Sequence, residues 1–374
     1  MSVSIQDVNT KADVKKFIDF AHHLYEDDQY YVPELYIAQK EMFDTAKYPF
    51  YEYGEVKSFL AYQGDKIVGR ISAISNPRYN EYHSSNIGFF GFFDCINSKE
   101  VSTALFETAS NHLRSYGYDQ VVGPTNFSTN ETAGLLVNGF EDSPKIMMTY
   151  NASYYEELVE GFGFKKEMDL YAFYIKTTEA SEKYLGLSSK LEERLKSKGI
   201  TIRNVNPKNW KSEVAKIKQL YNSAWEKNWG FVPFTDAEFK HLADGLKMLI
   251  DQDFAYIAER GEEAVGFSIS LPNINEITKT FKKGRLLPFN IFKLLLNKNK
   301  VSAVRIVASG VVEEFRMKGI EAIFFAKNIA EARKRGLDGG EASWILESNG
   351  PMRSAAEKLN GKLYKTYRLY SKPL

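Results

Sequence analysis

The chain has 374 residues, 44% hydrophobic and 26% charged, with 49 basic and 48 acidic side chains and a formal net charge of +1. That length is too great for one small core and implies about two domains, and the balanced charge supplies no general pull toward nucleic acid or membrane. A single cysteine, Cys95, excludes an intramolecular disulfide and a multi-cysteine zinc site, and the five histidines show no metal-ligand spacing.

The N-terminal stretch, Met1 to Lys16, is polar and has no signal-peptide pattern, and no apolar run reaches the ~18 residues of a membrane span. The expectation is a cytoplasmic protein without metal and without a transmembrane segment. In chain order, Val3-Ser-Ile-Gln-Asp-Val-Asn9 opens with a short strand, and Ala12 to Leu24 carries helical apolar spacing. Phe59 to Arg70 then reads as a hairpin turning at Gly64-Asp65. Asn86 to Cys95 is a central strand, Glu100 to Tyr116 a helix ending at Gly117, and Gln120 to Val122 another strand. A polar insertion from Gly123 to Pro144 follows, of the length that is often functional, and then an asparagine-led helix after Asn151.

The same order returns. Ile200-Thr-Ile-Arg-Asn-Val-Asn206 repeats the opening strand at a shift of 197, Phe231-Val-Pro233 repeats Tyr31-Val-Pro33, and Gly261 to Val265-Gly266 repeats Gly64 to Val68-Gly69. Landmarks in one order at a near-constant shift mean two copies of one domain. We place the first copy at 1–176, a charged, proline-free linker with a helix near Lys190 to Lys198 at 177–199, and the second copy at 200–374. The fold class is α/β, a mixed sheet with helices in each copy. The second copy carries its own insertion, Ile277 to Lys300, with seven basic residues and no acid. It reads as a solvated connection around one packed helix, the alternative being contact with an anionic or membrane surface.

Only the second copy has a basic, glycine-containing turn between its central strand and the next helix: Val311-Val-Glu-Glu-Phe-Arg316-Met-Lys-Gly319-Ile-Glu321. The first copy has Asn97-Ser-Lys-Glu100 there. Free N–H groups at a helix start form an anion site, and Gly319 allows close backbone approach while Arg316 and Lys318 add charge. An anion site is therefore expected in the second copy alone.

Taken together, the element order, the Arg316-x-x-Gly319-x-Glu321 turn, and Leu346-Glu-Ser-Asn349 leading a helix resemble the GCN5-related N-acetyltransferase superfamily in a tandem pair. In the first copy Tyr150-Asn-Ala-Ser-Tyr154-Tyr155 through Gly161-Phe-Gly-Phe164 has the same character as the second of these motifs. The resemblance implies an N-acyltransferase with acetyl-CoA or another acyl-CoA as co-substrate. It also implies pantetheine pairing with backbone at Val311 and Val312, pyrophosphate held by Arg316, Met317, Lys318, Gly319, Ile320 and Glu321, and a contact or helix cap at Asn349. Two positions depart from the family: Glu321 stands where Gly or Ala is usual, and no tyrosine occupies the asparagine-led helix near Ala356-Glu357. Glu347 is the candidate base, Tyr367 the candidate acid ahead of Tyr364, and Thr125, Asn126, Asn130, Glu131, Tyr150, Tyr154 and Tyr155 are candidates for lining the acceptor groove. The acceptor is expected to be an amine on a small molecule or peptide, not nucleic acid. Two other readings stay open: a catalytically degenerate ligand-binding protein, and a Fem-like aminoacyl transferase, against which the near-zero charge argues.

Overall fold

The computed structural model describes residues 2–374. The first copy runs β1 (Val3–Asp7), α1 (Lys11–Leu24), α2 (Tyr36–Met42), β2 (Glu55–Gln63), β3 (Lys66–Ser75), α3 (Pro77–His83), β4 (Ile87–Cys95), α4 (Lys99–Ser115) and β5 (Gln120–Gly123). It continues with the short β6 (Thr125–Asn126), β7 (Thr132–Ala133) and β8 (Leu135–Asn138), then α5 (Tyr155–Gly161) and β9 (Lys165–Lys176). Helix α6 (Glu182–Ser197) follows, much longer than the sequence reading placed it. The second copy is β10 (Ile200–Asn204), α7 (Trp210–Trp225), α8 (Asp236–Leu246), β11 (Ala255–Arg260), β12 (Glu263–Pro272), α9 (Asn275–Thr278), α10 (Asn290–Asn297), β13 (Ala303–Val311), α11 (Ile320–Lys334), β14 (Gly339–Leu346), α12 (Gly350–Lys358) and β15 (Lys362–Pro373).

Local chemistry explains the boundaries. Thr10 caps α1 and Thr235 caps α8, each in a reciprocal box with the acid three residues on, Asp13 and Glu238. Gly64 and Gly261 turn the two hairpins at φ 59° and 61°, a conformation that costs other residues a Cβ clash.

Two compact units emerge. The first comprises the N-terminus to Leu170, Asn275–Leu294 and Lys365–Leu374. The second comprises Tyr171–Ile274 and Leu295–Tyr364. The last ten residues of the chain thus complete the first unit, where Tyr370–Pro373 pair antiparallel with β5 and Thr366–Arg368 with β8. The first unit's sheet runs β1-β2-β3-β4-β5-β15. The second unit's runs β14-β13-β12-β11-β10. In each sheet one pair is parallel, β4 with β5 and β13 with β14, and the remaining neighbours are antiparallel.

Aromatic rings fill the first core. Phe90, Phe93, Phe106 and Phe164 interlock, with the Phe93 and Phe106 centroids 4.4 Å apart. Each such buried ring contributes about 1.5–3 kcal/mol through removal from water. In the second unit Val265, Val311, Ile320 and Ile323 pack with Tyr256, Phe315, Phe324 and Leu195 of α6. Because Leu195 belongs to that core, α6 is a structural helix of the second unit.

A pH dependence follows from α1. His22 is buried, its Nδ1 lies 3.1 Å from the Tyr31 hydroxyl, and burial, assisted by Arg70, pushes its pKa down to about 4. The unfolded chain protonates this imidazole near 6.5 and the folded chain does not. Stability is therefore full above pH 6.5 and falls as pH drops toward 4, by about 3 kcal/mol in all. Denaturant titrations from pH 7 to pH 4 check this: the wild type should lose stability across that window and His22→Gln should lose markedly less.

Candidate functional site

Backbone geometry defines the site. In the second unit β13 and β14 pair in parallel from Ala303↔Gly339 to Ile306↔Ala342, and there the pairing stops, although β13 continues to Val311 and β14 to Leu346. On its other side β13 pairs with β12 throughout, with a bulge that skips Val307. A bulge adds twist and bends the strand, so the two neighbours part and leave a wedge between Val307–Gly310 and Ser343–Leu346. Trp225 closes one side of β13, its indole N–H donating to the Ser309 carbonyl at 3.2 Å. Gly310 permits this approach, since a Cβ there would lie 2.8 Å from the Ala224 Cβ.

The strand exits into the basic turn. Gly319 adopts φ 92° and caps α11, so the first N–H groups of that helix point into the turn. A Cβ at Gly319 would lie 2.9 Å from Leu191 Cδ1 of α6, so the space in front of this glycine holds a leucine and not open surface. Beside it is a cavity of about 430 Å³ lined by Leu191, Arg194, Leu195, Lys198, Ile200, Arg260, Phe315, Met317 and Lys318. Four of those nine side chains are cations, and they come from α6, the end of β11 and the turn. Phe315 is sandwiched under two of them, with Lys318 Nζ 4.4 Å and Arg260 Cζ 5.8 Å from its ring centre. A cavity walled by four cations beside a helix N-terminus suits a multiply charged phosphate.

Several expected residues have other partners. Arg316 donates to the carbonyls of Val311 at 3.2 Å and Ala224 at 2.6 Å, so its charge braces the turn against α7. Val312 N–H donates to Val265 O at 3.0 Å, so that group pairs with β12 and does not face the wedge. Met317 is exposed at the tip of the turn, and Ile320 is a core residue. Burial raises the Glu321 carboxyl from its ordinary value, against its own N–H and Arg316. A carboxyl that binds a proton more readily opposes a neighbouring phosphate less. Asn349 accepts from Met352 N–H at 3.2 Å as the α12 cap. Glu347 is half-buried at the end of β14, and its carbonyl accepts from Arg353 at 3.1 Å. Where the wedge begins, the buried pair Arg305 and Glu341 lie 3.4 Å apart, and Glu341 also accepts from Ser343 and from the Tyr364 hydroxyl. Tyr364 belongs to the second unit, whereas Tyr367 is fully enclosed in the first.

The first unit has the same wedge, and its own chain fills it. Parallel pairing of β4 with β5 stops at Phe89↔Val122, and β4 bulges next to Phe92. The Phe92 N–H is taken at 2.8 Å by the side-chain oxygen of Asn126, in the inserted loop. Gly91 lies so close that a Cβ would sit 1.8 Å from the Thr125 carbonyl oxygen. Glu131 accepts from Phe127 N–H and the Tyr48 hydroxyl, and Asn130 N–H donates to Ser128 at 3.2 Å. Asn126 and Glu131 thus fasten the loop to β4 and to Tyr48, and Glu131 and Asn130 also fasten it to itself. Tyr150 donates to Asp28 at 2.6 Å, Tyr154 to the Cys95 carbonyl at 2.7 Å, and the Tyr155 hydroxyl accepts from Cys95 N–H at 2.8 Å. Burial pushes all three phenols up, which makes them poor acids. Gly91→Ala should therefore expel the loop from the wedge at a cost of about 3 kcal/mol or more; thermal melting with limited proteolysis at 123–144 checks this, and an unchanged melt with an uncut loop contradicts it.

Arg194, Lys198, Arg260, Leu191 and Trp225 escaped the sequence reading. Arg260, next to the Gly261 hairpin, was the one with a local signal. Among the described residues no group of three or more potential ligands is placed to hold a metal, and no helix is long and apolar enough to cross a membrane.

No protein-family model matches the chain. Protein YghO of Escherichia coli K12 is 35% identical over 370 residues, covering 97% of this chain and 94% of that protein. The bacterial ceramide synthase of Caulobacter vibrioides NA1000 is 34% identical over 379 residues, covering 100% of this chain and 98% of that protein. Among solved structures, a tandem GNAT protein from the clavulanic acid biosynthesis pathway superposes with a TM-score of 0.58 at 9% identity, covering 100% of this chain and 98% of its own. That identity speaks for the fold alone, two GCN5-related N-acetyltransferase domains in tandem.

Proposed function

The chain belongs to the GCN5-related N-acetyltransferase superfamily in its tandem form, in one family with the ceramide synthase of C. vibrioides and YghO of E. coli, and from that premise we propose that it is an acyl-CoA-dependent N-acyltransferase whose acceptor is the amine of a long-chain lipid base. The wedge between β13 and β14 carries the reading, because it leads to a turn and a cavity with four cations, whereas the first unit's wedge is filled by the chain itself. The name of one relative supports the acceptor: a ceramide is a fatty-acyl amide of a long-chain amino alcohol.

The chemistry is a direct transfer. The neutral amine attacks the thioester carbonyl carbon, a C–N bond forms, and the carbonyl electron pair moves to oxygen. A backbone N–H of β13 facing the wedge is the donor to the oxyanion, as in the first unit Phe92 N–H is the donor to an amide oxygen. A donor so placed is worth roughly 3–4 kcal/mol. Glu347 takes the amine proton, directly or through one water. The C–S bond then breaks and the thiolate is protonated by Tyr364, which lies in the same unit.

The test is turnover by the full chain with long-chain acyl-CoA and sphinganine, following thiol release and the amide by mass spectrometry. Amide formation that exceeds transfer from acetyl-CoA supports the reading. Binding of acyl-CoA without thiol release, with every amine offered, would replace it by a ligand-binding protein of this fold.

A further inference from the structure

We infer that the insertion between β12 and β13 is a docking surface for a bilayer of anionic lipid. This does not rest on the identity of the acceptor. Leu287, Phe289, Phe292 and Leu296 are 60%, 79%, 63% and 75% exposed. Large apolar side chains seldom cluster in water without a partner. Phe289, Phe292 and Leu296 recur at helical spacing along α10, while Leu294 on the opposite side is buried.

The exposure does not come from a slack loop. Ile277 and Phe281 are buried, and the Arg285 guanidinium stacks on Tyr36 at 3.7 Å. A Cβ at Gly284 would lie 1.9 Å from the Glu34 carbonyl oxygen. The segment is clamped against the first unit, so its outer apolar side chains are held out by structure.

Charge chooses the occupant. Between Ile277 and Lys300 there are seven of the chain's 49 basic residues and none of its 48 acids, which leaves the remainder net acidic. Lys279, Lys282, Lys293 and Lys300 are exposed on the same insertion. An apolar patch accompanied by cations matches the boundary between acyl chains and anionic headgroups. A second copy docked face to face would set seven cations against seven. The side chains lie where an interfacial helix places them: apolar tips in the acyl region and lysine ammoniums at phosphate depth.

The experiment is flotation of the full chain with vesicles of phosphatidylglycerol and phosphatidylcholine in equal parts, and with phosphatidylcholine alone. The wild type should float with the anionic vesicles, at least tenfold more than with the neutral ones, and high salt should release it. Phe289→Asp with Phe292→Asp should lose at least tenfold of the binding while keeping the wild-type melting temperature. Equal binding by that variant, or no preference for anionic vesicles, overturns the proposal. So does light scattering that shows a wild-type dimer dissociated by the same two substitutions, because the patch would then belong to a second copy.

Discussion

Arg260→Glu combined with Lys318→Glu should reduce acyl-CoA affinity by about a hundredfold or more while leaving the fold intact. Both side chains line the cavity beside the α11 N-terminus, and each is well exposed. Hydrogen bonds to a charged partner contribute about 1.5–3 kcal/mol each, and the variant loses two while adding repulsion. Arg260 has the distant Glu314, at 3.8 Å, and its contact with the Phe315 ring to lose. Isothermal titration with palmitoyl-CoA measures the effect. Affinity within threefold of wild type would mean that the phosphates sit elsewhere. Arg316→Ala makes the contrast: its guanidinium holds Val311 and Ala224 carbonyls, so its loss should appear first as a lower melting temperature.

Arg70→Met should be the most damaging single change to the first unit, costing about 3–5 kcal/mol. Arg70 and Asp94 face each other across β3 and β4, with contacts of 2.7 and 2.8 Å, and both are buried. Arg70 also donates to the Phe17 carbonyl at 2.9 Å, and Asp94 accepts from Tyr25 at 2.7 Å. Removing the cation leaves a carboxylate enclosed without its counter-charge, which is the expensive half of a buried pair. Arg70→Met with Asp94→Leu should recover part of the loss. Denaturant melts of the three variants decide it: a double variant no better than the single one would show that Tyr25 and Tyr155, not the charge pair, set the cost.

Much of the architecture was readable from residue order. The shift of 197 between Val3 and Ile200 marks the same strand in both copies, and β1 and β10 hold the same register with β2 and β11. Turn glycines and helix stops behaved as their chemistry requires, because those signals are local. The division of labour between the copies was half visible: the basic turn pointed to the second. The polar loop from Gly123 to Pro144 looked functional in composition, yet its amide at Asn126 satisfies the Phe92 N–H that a ligand could otherwise meet. Nothing local says where that side chain lands. Of the cavity cations Lys318 was named from its turn, while Arg194, Lys198 and Arg260 were hidden for a similar reason, since they lie on other elements and meet it only through folding. Tyr367 stands three residues from Tyr364, but the chain passes from the second unit to the first between them.

Hydrogen exchange with and without palmitoyl-CoA tests the wedge most directly. Amides from Val307 to Gly310 and from Met317 to Ile323 should gain protection, while that of Phe92, already held by Asn126 of the inserted loop, should not change. Protection confined to the first unit, or absent from β13 while the thioester binds, would contradict the assignment of the donor site.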